Sequence, residues 1–288
     1  MSEWIDTVIQ GTLLGGLYAL FAIGLSITYG VMRLVNIAHG DFIVLASYLA
    51  LVPISMLGVH PFVVVVPVAV MMFGLGYLLQ RFLINRTIGP DILPPLLVTF
   101  GLSILIQNGL LEVFSADSQA LQIGELATAS ISLFAGITVG TFPLVVFAAA
   151  IALTAGVSLL FNRTSVGMAL RATSDDPATA GLMGIRSKHT YAMALGLSFA
   201  LVAVGGVLSG VRTTFDPGAG PASLLYAFEA VVIGGMGSLW GTFAGAVILG
   251  ISQAIGAKLD AGWGVLFGHL VFLAVLIVKP TGLFARTR

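Results

Sequence analysis

The chain has no cysteine and only three lysines, Lys188, Lys258 and Lys279. Without cysteine there is no disulfide, no iron–sulfur cluster and no thiol nucleophile. A phosphate-cradling Walker A loop needs Gly-Lys followed by Ser or Thr. The three lysines precede His189, Leu259 and Pro280, so no nucleotide-binding loop of this kind exists here and any ATPase must be a separate chain. Charge is scarce as well. Asp, Glu, Lys and Arg make up 8% of 288 residues, against about 25% in soluble domains. The net charge is zero, which gives no electrostatic reason to expect nucleic acid. No HExxH, GxSxG or Ser–Lys arrangement is present, so an intramembrane hydrolase finds no motif here. The N-terminal MSEWIDTVIQ is acidic and lacks a basic region, so it does not read as a cleavable signal peptide.

What is abundant is apolar sequence: 58% of residues are hydrophobic and mean hydropathy is +1.08. The runs are continuous rather than alternating, which excludes a transmembrane β-barrel. The expected fold is an all-α polytopic membrane protein with about nine transmembrane helices, eight to ten, some of them discontinuous. The spans read Val8–Met32, Ile43–Leu57, Phe62–Ile84, Leu96–Phe114, Thr141–Phe161, Tyr191–Val211, Leu224–Met236, Phe243–Leu259 and Val265–Val278. Residues 115–140 hold Asp117 and Glu125 but no Lys or Arg, and read as an outer loop with a short hairpin. With the N-terminus outside and nine crossings, Arg212 and Lys258 alone of the basic residues fall outside, as the positive-inside rule favours. The whole chain, 1–288, reads as one transmembrane domain.

Arg163 to Lys188 is polar between two long spans. It carries four of the twelve basic residues, so it is expected in water on the cytoplasmic side. SVGMALRAT reads as one short helix. Asp176 is an N-cap, Pro177 the first helical residue, and Gly184 the stop. The segment is either a basic loop that fixes topology or a docking element, where small residues such as Gly167, Ala172 and Ala178 let a partner approach. Two further blocks invite chemistry. Asn36, His39 and Asp41 lie between the first two spans, as a polar inner loop or a helix break lining a watery path. His39 and Asp41 supply too few ligands for a metal. Gly234, Gly235 and Gly237 begin a block with five glycines in twelve residues. It is a tight crossing or a second break. Glu229, about six residues and roughly 9 Å into the seventh span at 1.5 Å per residue, is a pathway acid or an interhelically bonded one.

Three motifs carry a family resemblance. GMALRATSDDPxxAxLMGI (Gly167 to Ile185) resembles the coupling segment of bacterial ABC importer permeases. RLVNIAHGDF (Arg33 to Phe42) resembles a block of the H-type branched-chain amino acid permeases. The block from Gly234 to Gly245 resembles their late GGxGSxxGAxxGA, with Trp240 as a departure. Together they span residues 33 to 245. The resemblance implies an importer subunit that carries Leu, Ile or Val, or other amino acids, amides or urea. It implies two cytoplasmic ATPases docked on 163–188, a second related permease, and a periplasmic or lipid-anchored binding protein. ATP and Mg²⁺ would be held by the ATPases, and no cofactor or metal by this chain. Coupling would fall to Gly167, Arg171, Ala172, Asp176, Pro177, Ala178, Gly184 and Ile185. The pathway would be lined by Asn36, His39, Asp41, Glu229 and the three glycines. An autonomous channel or ion-coupled transporter would need coupled sets of intramembrane charges, and only His39, Asp41 and Glu229 stand out.

Topology is checked by labelling. Cysteines placed at Ser118 and Thr128 are expected to react with an impermeant thiol reagent in whole cells, and one at Ser174 only after permeabilisation. The reverse pattern would overturn the orientation.

Overall fold

Inside a bilayer an unpartnered peptide N–H or C=O is expensive, so each apolar run closes its hydrogen bonds on itself as an α-helix. The computed structural model describes residues 2–89, 91–124, 129–132 and 138–284. In order come α1 (Ser2–Met32), α2 (His39–Leu57), α3 (Pro61–Phe82, continued by a 3-10 turn at Ile84–Arg86) and α4 (Leu93–Phe114). A loop follows, with β1 (Ser130–Ser132) paired antiparallel to β2 (Thr138–Gly140). Then come α5 (Thr141–Arg163), α6 (Ser165–Asp175), α7 (Pro177–Leu182), α8 (Ser187–Arg212), α9 (Gly220–Gly234), α10 (Leu239–Leu259) and α11 (Gly264–Val278). Seven helices are long and apolar enough to cross a membrane, and α9 and α11 are apolar but shorter.

Among the described residues, nine apolar helices occur where the runs are. All but α5, which begins at Thr141 as expected, start earlier than the hydrophobicity suggests. α4 begins at Leu93 and α9 at Gly220, each with proline in the first turn, where the missing N–H is no loss. Glu229 therefore sits nine residues into α9, about 14 Å along it at 1.5 Å per residue. Of the sequence expectations, Glu125, Thr128, the middle of the hairpin (133–137) and the tail arginines Arg286 and Arg288 lie outside the described residues. Ser118 is exposed, but Ser174 is half-buried and its hydroxyl donates to the Gly30 carbonyl. Exposed Ser165 is the better labelling position at that end.

α1 is the axis. It packs against α5, α8, α9 and α10, while α3 lies along α8, and α2 lies against α8 and α9. α1 and α8 are largely buried; α3, α4 and α5 turn apolar residues such as Val66, Val70, Leu97 and Leu105 outward. The loop before β1 is tied to the end of α8: Leu121 N–H donates to Gly210 C=O, and Gln119 and Phe215 exchange backbone bonds. The α1–α10 seam is backbone on backbone. A Cβ on Gly15 would lie 2.5 Å from Val247 Cα, and one on Gly250 would lie 2.4 Å from the Gly11 oxygen. Overpacking at such a contact costs about 1–3 kcal/mol or more. Gly15→Val should therefore lower the melting temperature of the detergent-solubilised protein by several degrees. Gly74→Ala, whose Cβ would meet nothing within 4 Å, should leave it unchanged or raise it.

Candidate functional site

α1 ends at Met32, and the next residue, Arg33, takes a left-handed φ of 54°. The chain then turns back as a non-helical stretch to Ala38, and α2 starts at His39. His39 Nε2 lies 2.8 Å from the carbonyl of Phe21, eleven residues before the end of α1, so that nitrogen carries the proton. The α2 N-terminus thus abuts the middle of α1 rather than its end. Asn36 Oδ1 accepts from Ala38 N–H, and Ile37 N–H donates to Thr99 on α4. Asp41, in the first turn of α2, accepts from Gln107 Nε2 of α4 at 2.8 Å. The α9 N-terminus meets it: a Cβ on Gly220 would lie 2.0 Å from Asp41 Oδ1, and one on Gly40 would lie 1.9 Å from the Gly220 oxygen. Two helix N-termini, each with a positive dipole end, therefore converge on one carboxylate. Asn36, His39 and Asp41 are all buried, and Asn36 Nδ2 and His39 Nδ1 have no hydrogen-bond partner.

Glu229 belongs to a second cluster. It is 1% exposed, and its Oε1 is paired with His269 Nδ1 of α11, while Oε2 has no partner. Beside it the Tyr18 hydroxyl of α1 donates to Gln253 Oε1 of α10 at 2.6 Å, and the Tyr18 and Tyr226 rings stack at 4.9 Å. Four helices thus contribute one polar patch. The interhelically bonded reading of Glu229 describes its contact with His269. His269 was not singled out in the sequence, although it is the one ionisable residue in Gly264–Val278. Among the described residues no hydrogen bond joins this cluster to Asp41. No group of three or more His, Asp or Glu there could hold a metal ion.

The glycine block is both a crossing and an interruption. α9 ends at Gly234. Gly235 (φ 106°) and Gly237 (φ 84°) make the turn, and Ser238 caps α10 by accepting from Gly241 N–H. A Cβ on Gly234 would lie 2.1 Å from the Gly241 oxygen, and one on Gly245 2.3 Å from the Ala230 oxygen. This turn lies at the end of the bundle, beside Gly30 of α1. Leu283 and Phe284 N–H groups close the last carbonyls of α9. The four polar pathway candidates and these glycines therefore occupy different levels. Asn36, His39, Asp41 and Glu229 are buried in the chain and line neither of the two pockets, of about 260 and 220 Å³, at its α6 end.

The polar segment folds as an elbow. Thr164 caps α6, and Gly167 is buried in the corner, where a Cβ would lie 2.2 Å from the Leu160 oxygen. Its smallness lets α6 fold back against the last turn of α5. Arg171 turns into a cleft toward Asn162, and Ala172 is half-buried. Asp176 caps α7, accepting from the Thr179 hydroxyl and from the Thr179 and Ala178 N–H groups. The Thr179 hydroxyl first, then those amides, hold its carboxyl below the ordinary range, so the cap is complete at neutral pH and is lost only in acid, as pH falls through that lowered value. Gly184, at φ 82°, and Ile185 close the helix: Ile185 N–H reaches Ala180 C=O, and Gly184 N–H reaches Gly181 C=O, a Schellman end. Pro177, Ala178 and Gly184 are exposed, and Leu182 and Met183 are 87% and 80% exposed.

Comparison with known proteins places this architecture. The family described as branched-chain amino acid transport system / permease component matches residues 7–278. The chain is 30% identical to the high-affinity branched-chain amino acid transport system permease protein BraD of Pseudomonas aeruginosa, over 99% of this chain and 96% of that protein. It is 29% identical to LivH of Salmonella typhimurium, over 98% and 96%. A shorter match, 32% identical over 64% of this chain and 55% of the relative, is to the fructose import permease FrcC of Rhizobium meliloti. No solved structure matches. With nearly its whole length matched, and with α6 and α7 formed between membrane-crossing helices, the chain belongs to the branched-chain amino acid permease family, the multi-pass inner-membrane components of ABC importers.

Proposed function

We propose that this chain carries Leu, Ile and Val across the bacterial inner membrane, in one domain, as half of a permease pair with a second, related subunit. The observation that carries the reading is the end-to-end similarity to BraD and LivH, both named as branched-chain amino acid permeases. A binding protein delivers substrate at the outer face. Two cytoplasmic ATPases supply the energy, with the N-terminus of this chain outside and its C-terminus inside. The similarity to FrcC favours one second reading, a different small polar cargo carried by the same machinery.

The ATPase surface is α7. Two consecutive apolar side chains at its end, Leu182 and Met183, are almost fully exposed, and on the cytoplasmic side they offer a partner an apolar contact. Its capped ends make α7 a rigid handle. The Gly167 corner, the Ser174 bond to Gly30 and the Ser187 bond to Pro177 link the handle to α5, α1 and α8, so a push on α7 moves the inner ends of three helices. A zwitterion cannot cross hydrocarbon bare. The path opens where the α2 and α9 N-termini part from each other, so that their N–H groups attract carboxylate and Asp41 and Glu229, buried in the closed arrangement, attract ammonium. Asn36 and His39 line the same break, and their unpartnered atoms supply further polar contacts.

Uptake of radiolabelled leucine, competed by unlabelled fructose or urea, tests the cargo. ATP-dependent leucine uptake that only branched-chain amino acids compete supports the reading, and fructose or urea competition supports the second. A charge-assisted hydrogen bond is worth about 1.5–3 kcal/mol, so Asp41→Asn and Glu229→Gln should each slow uptake roughly 10- to 100-fold with assembly intact. Wild-type rates in both would remove these carboxylates from the path. For coupling, Ala178→Trp should abolish uptake without loss of membrane insertion. Asp176→Ala should impair it several-fold, while Asp176→Asn, which keeps a capping oxygen, should not. Equal uptake in the Ala and Asn variants would show that the cap is irrelevant.

A further inference from the structure

The larger of these two pockets, about 260 Å³, is lined like a receptor for an anion: among the described residues it holds one cation and no acid. Its back is α1 at Ser26 and Gly30. Its sides are α5 at Asn162 and the first turn of α10 at Ser238 and Trp240, and α6 closes it with Arg171 and Ser174. Among the described residues Arg171 Nε, which is buried, donates to nothing, and its Nη1 reaches only Asn162 Oδ1 at 3.4 Å. No Asp or Glu lines the pocket. A buried guanidinium N–H without an acceptor is uncommon and costly. The arrangement therefore asks for an oxyanion with several acceptor oxygens, and the Ser26 and Ser238 hydroxyls stand around the same space.

The position says where that oxyanion comes from. The pocket lies where α5 ends and α10 begins, and the ends of membrane-crossing helices reach the headgroup level. Trp240, 49% exposed, stands at its rim, and such rings favour that level. Phe161 and Leu239 continue the wall as apolar surface on which an acyl chain can lie. We propose that this cleft binds the phosphate of one anionic phospholipid from the inner leaflet, with Arg171 as its charge partner, an assignment that rests on the proposed cytoplasmic placement of α6 and α7. The headgroup would then wedge between α5, α6 and the α9–α10 turn, so the lipid would help set the position of the elbow. Pockets of this kind between membrane helices suit anionic headgroups.

The test is native mass spectrometry of the assembled importer, ATPases included, after exchange into phosphatidylglycerol, phosphatidylcholine or inorganic phosphate. The wild type should retain one phosphatidylglycerol per copy of this chain above the phosphatidylcholine background. Arg171→Gln should lower that retention at least tenfold, and Arg171→Lys, which keeps the charge, should restore part of it. Equal retention in wild type and Arg171→Gln, or equal retention of the two lipids by the wild type, would overturn the proposal. Binding of inorganic phosphate with no preference between the lipids would overturn the lipid assignment in favour of a free anion. Loss of ATPases from Arg171→Gln with the lipid kept would overturn it by assigning Arg171 to a partner carboxylate. ATPases missing from the wild type would count against the coupling reading alone, because lipid retention is read from the same spectra independently.

Discussion

Lipid gives apolar helices no hydrophobic reason to leave it for one another, so close backbone approach must hold this bundle together. α1 shows how. Gly11 and Gly15 receive the backbone of α10 around Val247 and Gly250, and the Gly24 carbonyl accepts the Ser198 hydroxyl of α8. Those contacts put α1 at the centre. Several of the buried polar groups are then arranged on it: His39 on the Phe21 carbonyl, Tyr18 on Gln253, Ser26 beneath Thr242.

Once α1 is fixed, the break after Arg33 acquires its meaning. The stretch to Ala38 brings the start of α2 back to the middle of α1, where it meets the start of α9 across Gly40 and Gly220. A side chain at either glycine would part the two helix ends. Asp41 can remain buried there because Gln107 donates to it and two helix dipoles favour its charge. Glu229 is held differently, by a histidine from α11. The two acids lie in separate clusters that share α9, so a shift of that helix would disturb both.

The opposite end of the bundle carries the polar elbow. α6 is pinned by Gly167 and Ser174, whereas α7 stands out with sealed ends and bare apolar side chains. Firm attachment and an exposed tip suit an element through which force passes. The α9–α10 turn and the chain's last described residues meet at the same end, so motion of the elbow has a direct neighbour in the glycine block.

Hydrophobic run length, charge scarcity and end signals are local properties, and the sequence alone determined what depends on them. It yielded nine apolar helices, the polar elbow, the Asp176 cap and the Gly184 stop, because each rests on residues within a few positions of one another. Helix starts at Leu93 and Gly220 were harder to read, since proline looks like a breaker until the first turn is known to tolerate it. Only the tertiary structure decided who meets whom. Nothing in the neighbourhood of Glu229 names His269, forty residues on, and nothing near Asp41 names Gln107 or Gly220. Nor could spacing reveal that Gly167 packs against the end of α5, or that Arg171 points into a cleft. Those outcomes depend on helix rotation and on which backbones can approach closely, and both are set by packing across the whole bundle.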